Sequence, residues 1–405
     1  MPTTTADRIR RHSGPAILGL GFRPFFLAGA IWAAVAMLVW LFVLTGLLPL
    51  PSLLGPVDWH VHELLYGYLP AIVAGFLLTA VPNWTGRLPV TGGPLLALCA
   101  VWVVGRLAIA MSLWLGPWLT AVLDLAFLAV LIAVIARELL AGANKRNLPV
   151  LLLVSLLFAG NAVFHLELAR HGSAVLGIRL GIAAILLLLM LIGGRIVPSF
   201  TRNWLAKRGP GRLPASVDLF DGFAIAFAGL ALLSWLASPM TPITAVACLV
   251  AGLLHLARLA RWAGDRTLAE PLVTILHIGY AFVPLGFLLV AAAYAAPAMV
   301  QPIAAVHAWT AGGIGTMTLA VMTRASLGHS GRPLTADRWT SAIYVLVVAA
   351  ALARVAAGTS LGFPALQHLA ATLWVLAFAT FAVAYWPVLT HPRASEAHSP
   401  ADRAP

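Results

Sequence analysis

Histidine is the residue type in this chain best placed to do chemistry. The sequence holds 12 of them, and several lie within or at the ends of long apolar runs. Imidazole suits haem iron, copper and zinc. In an apolar span an unpartnered imidazole is costly, so it should face other protein and have a role. The densest group is Trp59–His60–Val61–His62–Glu63. On a helix His60 and His62 point apart, whereas His60 with Glu63, and His62 with Tyr66, share a face. The two histidines converge only if His60 sits just before the helix. A second run opens with His307–Ala308–Trp309 and continues through Gly312, Gly313, Gly315, Thr316 and Thr318. Such small residues admit either a closely packed helix or a flat macrocycle. His277 stands at helical spacing from Tyr280 and Pro284, and the proline frees a carbonyl and bends the helix. Asn161 lies four residues before His165, where it can orient the imidazole. Each of these, taken singly, also reads as an interfacial or hydrogen-bonded structural histidine. Cys99 and Cys248 both sit in apolar runs and lack CxxC spacing, which argues against c-type haem attachment and thiolate clusters. A metal here has to use histidine, carboxylate or methionine.

The elements that carry these residues are membrane spans. Apolar residues make up 61% of the chain and charged residues only 9%, against about 25% charged in a soluble domain. Runs of about 20 residues, the length that crosses the hydrocarbon, fall near 24–46, 64–82, 93–113, 117–137, 148–168, 176–198, 217–236, 242–262, 272–295, 302–323, 338–357 and 364–386. The fold class expected is an all-α polytopic integral membrane protein of about 12 transmembrane helices. Leu115–Gly116–Pro117 and Ser238–Pro239–Met240–Thr241–Pro242 separate neighbouring spans. The first apolar run is too long for a secretory signal, and no small-residue cleavage site follows it. Residues 1–23 read as a basic cytoplasmic segment, 24–386 as a single membrane domain and 387–405 as a cytoplasmic tail.

Orientation follows from lysine and arginine. With the N-terminus inside, every cytoplasmic loop is basic, including Arg87, Arg137, Lys145, Arg208 and Arg266, while the outer loops carry only Arg170, Arg179 and Arg354. The formal net charge of +12 is therefore mainly a topology signal, and a nucleic-acid partner is not expected. This topology sorts the histidines into an outer layer of His60, His62, His165, His307 and His368 and an inner layer of His255, His277 and His329. Two ligand layers suit two metal centres at different depths. Arg106 and Asp124 occupy consecutive antiparallel spans, both about 10 Å deep at 1.5 Å per residue, so a buried ion pair is expected. Three even-numbered spans end alike on the inner side, at Val81–Pro82–Asn83, Val197–Pro198–Ser199 and Val321–Met322–Thr323–Arg324, hinting at three four-helix repeats. Arg195, Arg202 and Arg324 at such ends can either anchor the helix or hold an anionic group such as a haem propionate.

The segments Gly21–Phe26, Trp59–Glu63, Gly75–Arg87, Gly194–Trp204, His277–Gly286 and His307–Arg332 resemble the NnrS family. The resemblance runs along nearly the whole chain. It implies a multi-pass protein of the bacterial inner membrane that acts in nitric oxide metabolism, denitrification or nitrosative-stress defence. It also implies haem b and copper, with nitric oxide as ligand or substrate and an oxidoreductase role as the enzymatic form of that activity. On this reading His277, His307 and His329, with Arg195, Arg202 and Arg324, are expected to bind haem. His60, His62, His307 and His277 are the expected metal ligands, with copper on the outer side around His60, His62 and His307. Two alternatives stand beside it. One is a secondary transporter, a common plan for twelve helices with repeats, against which the scarcity of acidic residues in the spans counts. The other is a haem-b electron-transfer subunit working with quinol. The topology is tested by fusing a reporter that is active only in the cytoplasm, and one active only outside, to each terminus. Both termini should light the cytoplasmic reporter, and a split result would imply an odd number of crossings.

Overall fold

A computed structural model describes residues 14–393. The cytoplasmic segments expected at the two ends lie mostly outside the described residues. Long helices dominate, and the described residues contain no strand, only an isolated bridge between Val300 and Thr359. In chain order the long helices are α1 Phe22–Leu44, α2 Pro56–Thr85, α3 Gly93–Ala110, α4 Pro117–Ala141, α5 Leu148–His171 and α6 Leu176–Leu205. They continue with α7 Leu219–Ala237, α8 Pro242–Ala260, α9 Pro271–Ala295, α10 over 302–329, α11 Arg338–Ala356 and α12 Pro364–Thr390. Among the described residues, 11 of these are long and apolar enough to cross a membrane. The remaining one, α10, is helical throughout but carries Gly312, Gly313, Gly315 and several threonines in place of large apolar residues. The all-α polytopic reading is thus seen in the structure.

Local chemistry explains the helix starts. Pro56, Pro117, Pro242, Pro271, Pro302 and Pro364 each occupy a first helical position, where the missing N–H would have no partner and φ is already suitable. Asp218 caps α7 and forms a reciprocal box with Asp221, and Thr241 and Asp337 cap α8 and α11. Outside the spans, Arg212 donates to Asp265 and holds that carboxyl below its usual range. Two expectations move. The second helix begins at Pro56, not 64, so the whole Trp59–Glu63 group is helical. Pro82 and Pro198 do not end their helices, which run on to Thr85 and Leu205. A proline removes one donor and frees one carbonyl, and a helix packed among its neighbours can absorb that loss.

Contacts divide the chain into two compact units. Of the described residues, the first contains α1 to α5, the start of α6, Met322–Leu334 and Phe378–Arg393. Its central element is α2, of whose most apolar window 83% is buried against 39% for α1, α3, α4 and α5. The second unit contains Arg179–Val321 and Thr335–Ala377. There α9 packs against α8 and α10, with Trp309 of α10 filling the space left by Gly286 and donating its indole N–H to the Val283 carbonyl at 3.1 Å. Phe282 fills the space at Gly312 in the same way, so Gly286 and Gly312 serve close helix packing.

Arg23, counted at the end of the basic N-terminal segment, is the second residue of α1 and is buried. Its guanidinium donates to the carbonyls of Leu389 at 3.1 Å, in the last turn of α12, and His391 at 2.5 Å, just past it. The carbonyls that end a helix have no intrahelical donor, and the negative end of the helix dipole favours a cation there. Arg23→Ala should lower stability by roughly 1–3 kcal/mol. Unfolding of the purified protein by SDS titration measures this, and Arg23→Lys should recover only part, because an ammonium cannot span several carbonyls.

Candidate functional site

Five helices of the first unit meet at a buried ionic cluster. α2 supplies His62 and Glu63, α3 supplies Arg106, α4 supplies Asp124 and α5 supplies Asn161 and His165. α1 adds Trp32, whose indole donates to Glu63 Oε2 at 2.7 Å. Asp124 is the hub. Its Oδ2 lies 3.1 Å from His62 Nε2, 3.0 Å from His165 Nε2 and 2.7 Å from Asn161 Nδ2, while Arg106 donates to its Oδ1. Arg106 also donates to Glu63 Oε1 at 2.6 Å. The expected Arg106–Asp124 pair therefore forms, as part of a larger network than the sequence indicated. His62 lies between two carboxylates, with Nδ1 3.1 Å from Glu63 Oε1. Phe164 closes one side, its ring centroid 5.0 Å from that of His62.

A local irregularity in α2 makes this convergence possible. Glu63–Tyr68 forms a π-helical turn between two α-helical segments. A π turn holds more residues than an α turn, so side chains beyond it are rotated from their α-helical positions, and such turns concentrate at functional sites. Gly67 lies inside this turn. A Cβ there would stand 2.8 Å from Glu63 Oε2 and would meet the Arg106 guanidinium, so glycine is what leaves room for the ion cluster. The Gly67 carbonyl accepts the Trp102 indole N–H at 2.9 Å.

The histidine and aspartate atoms form a candidate donor set for a metal ion. One ligand atom from each of His62, Asp124 and His165 can be chosen so that all lie within 4.8 Å of one another. Two imidazoles and a carboxylate are borderline donors of the kind that bind copper, zinc or iron. Glu63 stands behind His62, in the position of the carboxylate that orients a ligating imidazole through its other nitrogen. With both imidazoles neutral, Arg106 against Glu63 and Asp124 would leave one excess negative charge at membrane depth, which a second proton on His62 or a bound cation would balance.

The NnrS protein family profile matches residues 16–393, nearly the entire chain. The chain belongs to the NnrS family. No curated protein matches it. The other NnrS-like positions are distributed differently from His62. His60 is not in the cluster; its ring stacks on Trp40 at 4.1 Å. His307 and His277 belong to the second unit. His307 Nδ1 lies 2.9 Å from the Ile303 carbonyl. His277 is buried, and Thr201, whose hydroxyl donates to Val197, accepts from its Nε2 at 2.8 Å. His277 Nδ1 is buried without a hydrogen-bond partner. His329 contacts the Phe22 ring at 5.7 Å. Arg202 is exposed and donates to the Pro214 carbonyl, Arg195 is half-buried and Arg324 is buried.

His165 is the site residue that the resemblance did not reach. Two signals in the sequence pointed towards it: its spacing from Asn161, and its place with His62 in the outer histidine layer. Asn161 does not orient His165 directly; both side chains reach the same Asp124 oxygen. The cluster predicts an asymmetry. Arg106→Leu leaves two buried carboxylates short of a cation and should cost about 3–5 kcal/mol, whereas the triple change Arg106→Leu, Glu63→Gln, Asp124→Asn should recover most of that loss. SDS titration of the three proteins decides it, and equal destabilisation of the single and triple variants would contradict the pairing.

Proposed function

We propose that this chain is a metal-binding membrane protein of nitric oxide metabolism, with copper held by His62, His165 and Asp124. The observation that carries the reading is the geometry around His62. Both of its ring nitrogens face carboxylate oxygens, at 3.1 Å each. A carboxylate only accepts, so a cation-free site needs a proton on each nitrogen. A metal ion at Nε2 takes the place of one of those protons, while Nδ1–H keeps its bond to Glu63. The result is a carboxylate–histidine–metal arrangement. Asn161 and Arg106 hold Asp124 in place from the other side. Copper, when held by His62, His165 and Asp124, would supply a redox-active centre for nitric oxide. Nitric oxide is small, neutral and soluble in lipid, so it reaches a buried site without a polar channel. The family membership supports the nitric oxide connection and the inner-membrane setting.

Haem b is the second cofactor of this reading, and two histidines of the second unit support it. At His307 the Ile303 carbonyl can only accept, so Nδ1 carries the proton and Nε2 is the nitrogen that would ligate a metal. At His277 the bond to Thr201 leaves the lone pair on the unpartnered Nδ1. Nδ1 lies next to the side chain's own stem, so His277 suits a small ion or ligand better than a flat macrocycle. His307 is accordingly the preferred haem ligand and His277 the subsidiary one.

Metal analysis and a pyridine haemochrome spectrum of the purified protein test both parts. Replacing His62 and His165 together with alanine should remove copper, by more than about tenfold in occupancy, and leave haem unchanged. His307→Ala should reduce haem and leave copper. Full copper retention after loss of both His62 and His165 would place copper elsewhere, and absence of iron and of a Soret band from haem-replete cells would end the haem assignment.

A further inference from the structure

The second unit holds a buried polar chain that the proposed metal sites do not use. Tyr280 on α9 is fully buried, and its hydroxyl has two partners on α8: Arg258 Nη1 at 2.7 Å and His255 Nδ1 at 2.9 Å. Arg258 Nε donates to Asp221 Oδ1 of α7 at 2.7 Å, and Nη1 also reaches the Met190 carbonyl at 3.0 Å. His255 Nε2 lies 3.2 Å from the Ala224 carbonyl. These partners assign the protons. A carbonyl only accepts, so His255 carries its proton on Nε2 and keeps a lone pair on Nδ1. A guanidinium only donates, so the phenol oxygen accepts from Arg258 and gives its own proton to His255. Arg258 and Asp221 neutralise each other. His255 is thus a neutral base in direct contact with a buried phenol.

Aromatic rings continue from this bond in both directions. The Trp262 ring lies 4.6 Å from Tyr280, centroid to centroid. His255 lies 6.0 Å from Tyr280 and stacks at 6.2 Å on Phe287. Phe287 lies 5.1 Å from Trp309, and Trp309 lies 5.2 Å from Trp235. All of these rings are buried. Trp262 follows the end of α8, near the end of α7 that carries Asp221, and Trp235 lies about 21 Å further along α7 at 1.5 Å per residue. The row therefore covers most of the length of a span.

We propose that Tyr280 is a redox-active tyrosine that gives its phenolic proton to His255 on one-electron oxidation, and that the aromatic row carries the charge through this unit. In the forward step a high-potential one-electron acceptor takes one electron from the phenol and is reduced by it. The phenolic O–H bond breaks and an N–H bond forms at His255 Nδ1, giving a neutral tyrosyl radical and an imidazolium. Return of one electron to the oxygen reverses both changes. The structure supplies what this step needs. An oxidised phenol is a very strong acid, so its oxidation is eased where a base already accepts its hydrogen bond. Burial shields the radical from solvent. Electron tunnelling weakens steeply with distance, so charge passes faster in short hops between the oxidisable rings, Trp262 and Tyr280 on one side and Trp309 and Trp235 on the other, with His255 and Phe287 as the packed medium between them.

The test uses the full-length protein in lipid nanodiscs, oxidised by a flash-generated ruthenium(III) polypyridyl complex and read by EPR and transient absorption. A neutral tyrosyl radical should form, and growth on ring-deuterated tyrosine should narrow its EPR spectrum. The chain has 6 tyrosines, so Tyr280→Phe identifies the source: it should remove the buried radical. His255→Gln should slow radical formation by about a hundredfold or more, the scale of a positioned base, and abolish the solvent deuterium isotope effect. Trp309→Phe should lower the yield without changing the radical spectrum. An undiminished radical in Tyr280→Phe, or an unchanged rate and isotope effect in His255→Gln, would overturn the proposal. If Tyr280→Phe does not fold, ENDOR of the unmodified protein decides instead: an exchangeable proton coupled to the radical oxygen is required, and its absence counts against the His255 assignment.

Discussion

A carboxylate at membrane depth has to be met by cations and donors, and the first unit is organised around meeting that need at Asp124. Three helices approach it with Arg106, with His62, and with Asn161 and His165. Glu63 and Trp32 bring in α1 and a second carboxylate. In water such contacts would contribute little each. In an apolar medium, removing any one partner exposes the full desolvation cost of those that remain. The cluster therefore acts as a register device: the helices can pack in few other ways without stranding a charge. It is also the most charge-dense part of the described interior, which makes it a natural place for a metal.

The same constraint accounts for the irregularities of the fold. The π turn at Glu63–Tyr68 re-aims the side chains around it, and its glycine leaves space for the Arg106 guanidinium. A second π turn, Ala308–Gly315, follows His307 in α10. Both wide turns begin immediately after a histidine of the recognised motifs. A π turn replaces the α-helical backbone hydrogen bonds with wider ones, so its presence beside both histidines links the irregular parts of the helices to the positions where ligands are proposed.

The second unit solves the problem of buried polarity differently. Its cluster at Arg258, Asp221, Tyr280 and His255 is compensated within itself, and each proton has an assigned donor and acceptor. Nothing there requires an added cation, whereas in the first unit His62 faces two carboxylates and needs either a second proton or a metal ion. That difference is the physical basis for proposing copper at the cluster of the first unit and proton-coupled charge transfer at the cluster of the second.

Composition and spacing alone determined that the chain is an all-α membrane protein, roughly where its long helices lie, and which residue type carries the chemistry. Those features depend on hydrophobicity and helical length, which are local properties. The depth of Arg106 and Asp124 was legible for the same reason, since it needs only distance along two consecutive helices. The tertiary structure alone decided that His165 joins His62 while His60 turns to Trp40, and that Glu63 answers Arg106. These depend on the rotation of each helix about its axis and on which helices are neighbours. A π turn changes that rotation without leaving a mark in the apolar pattern, and partners such as Asp124 and His165 are separated by a loop and most of two helices. Pairings of that kind are settled only when the buried charges of all five helices are satisfied together.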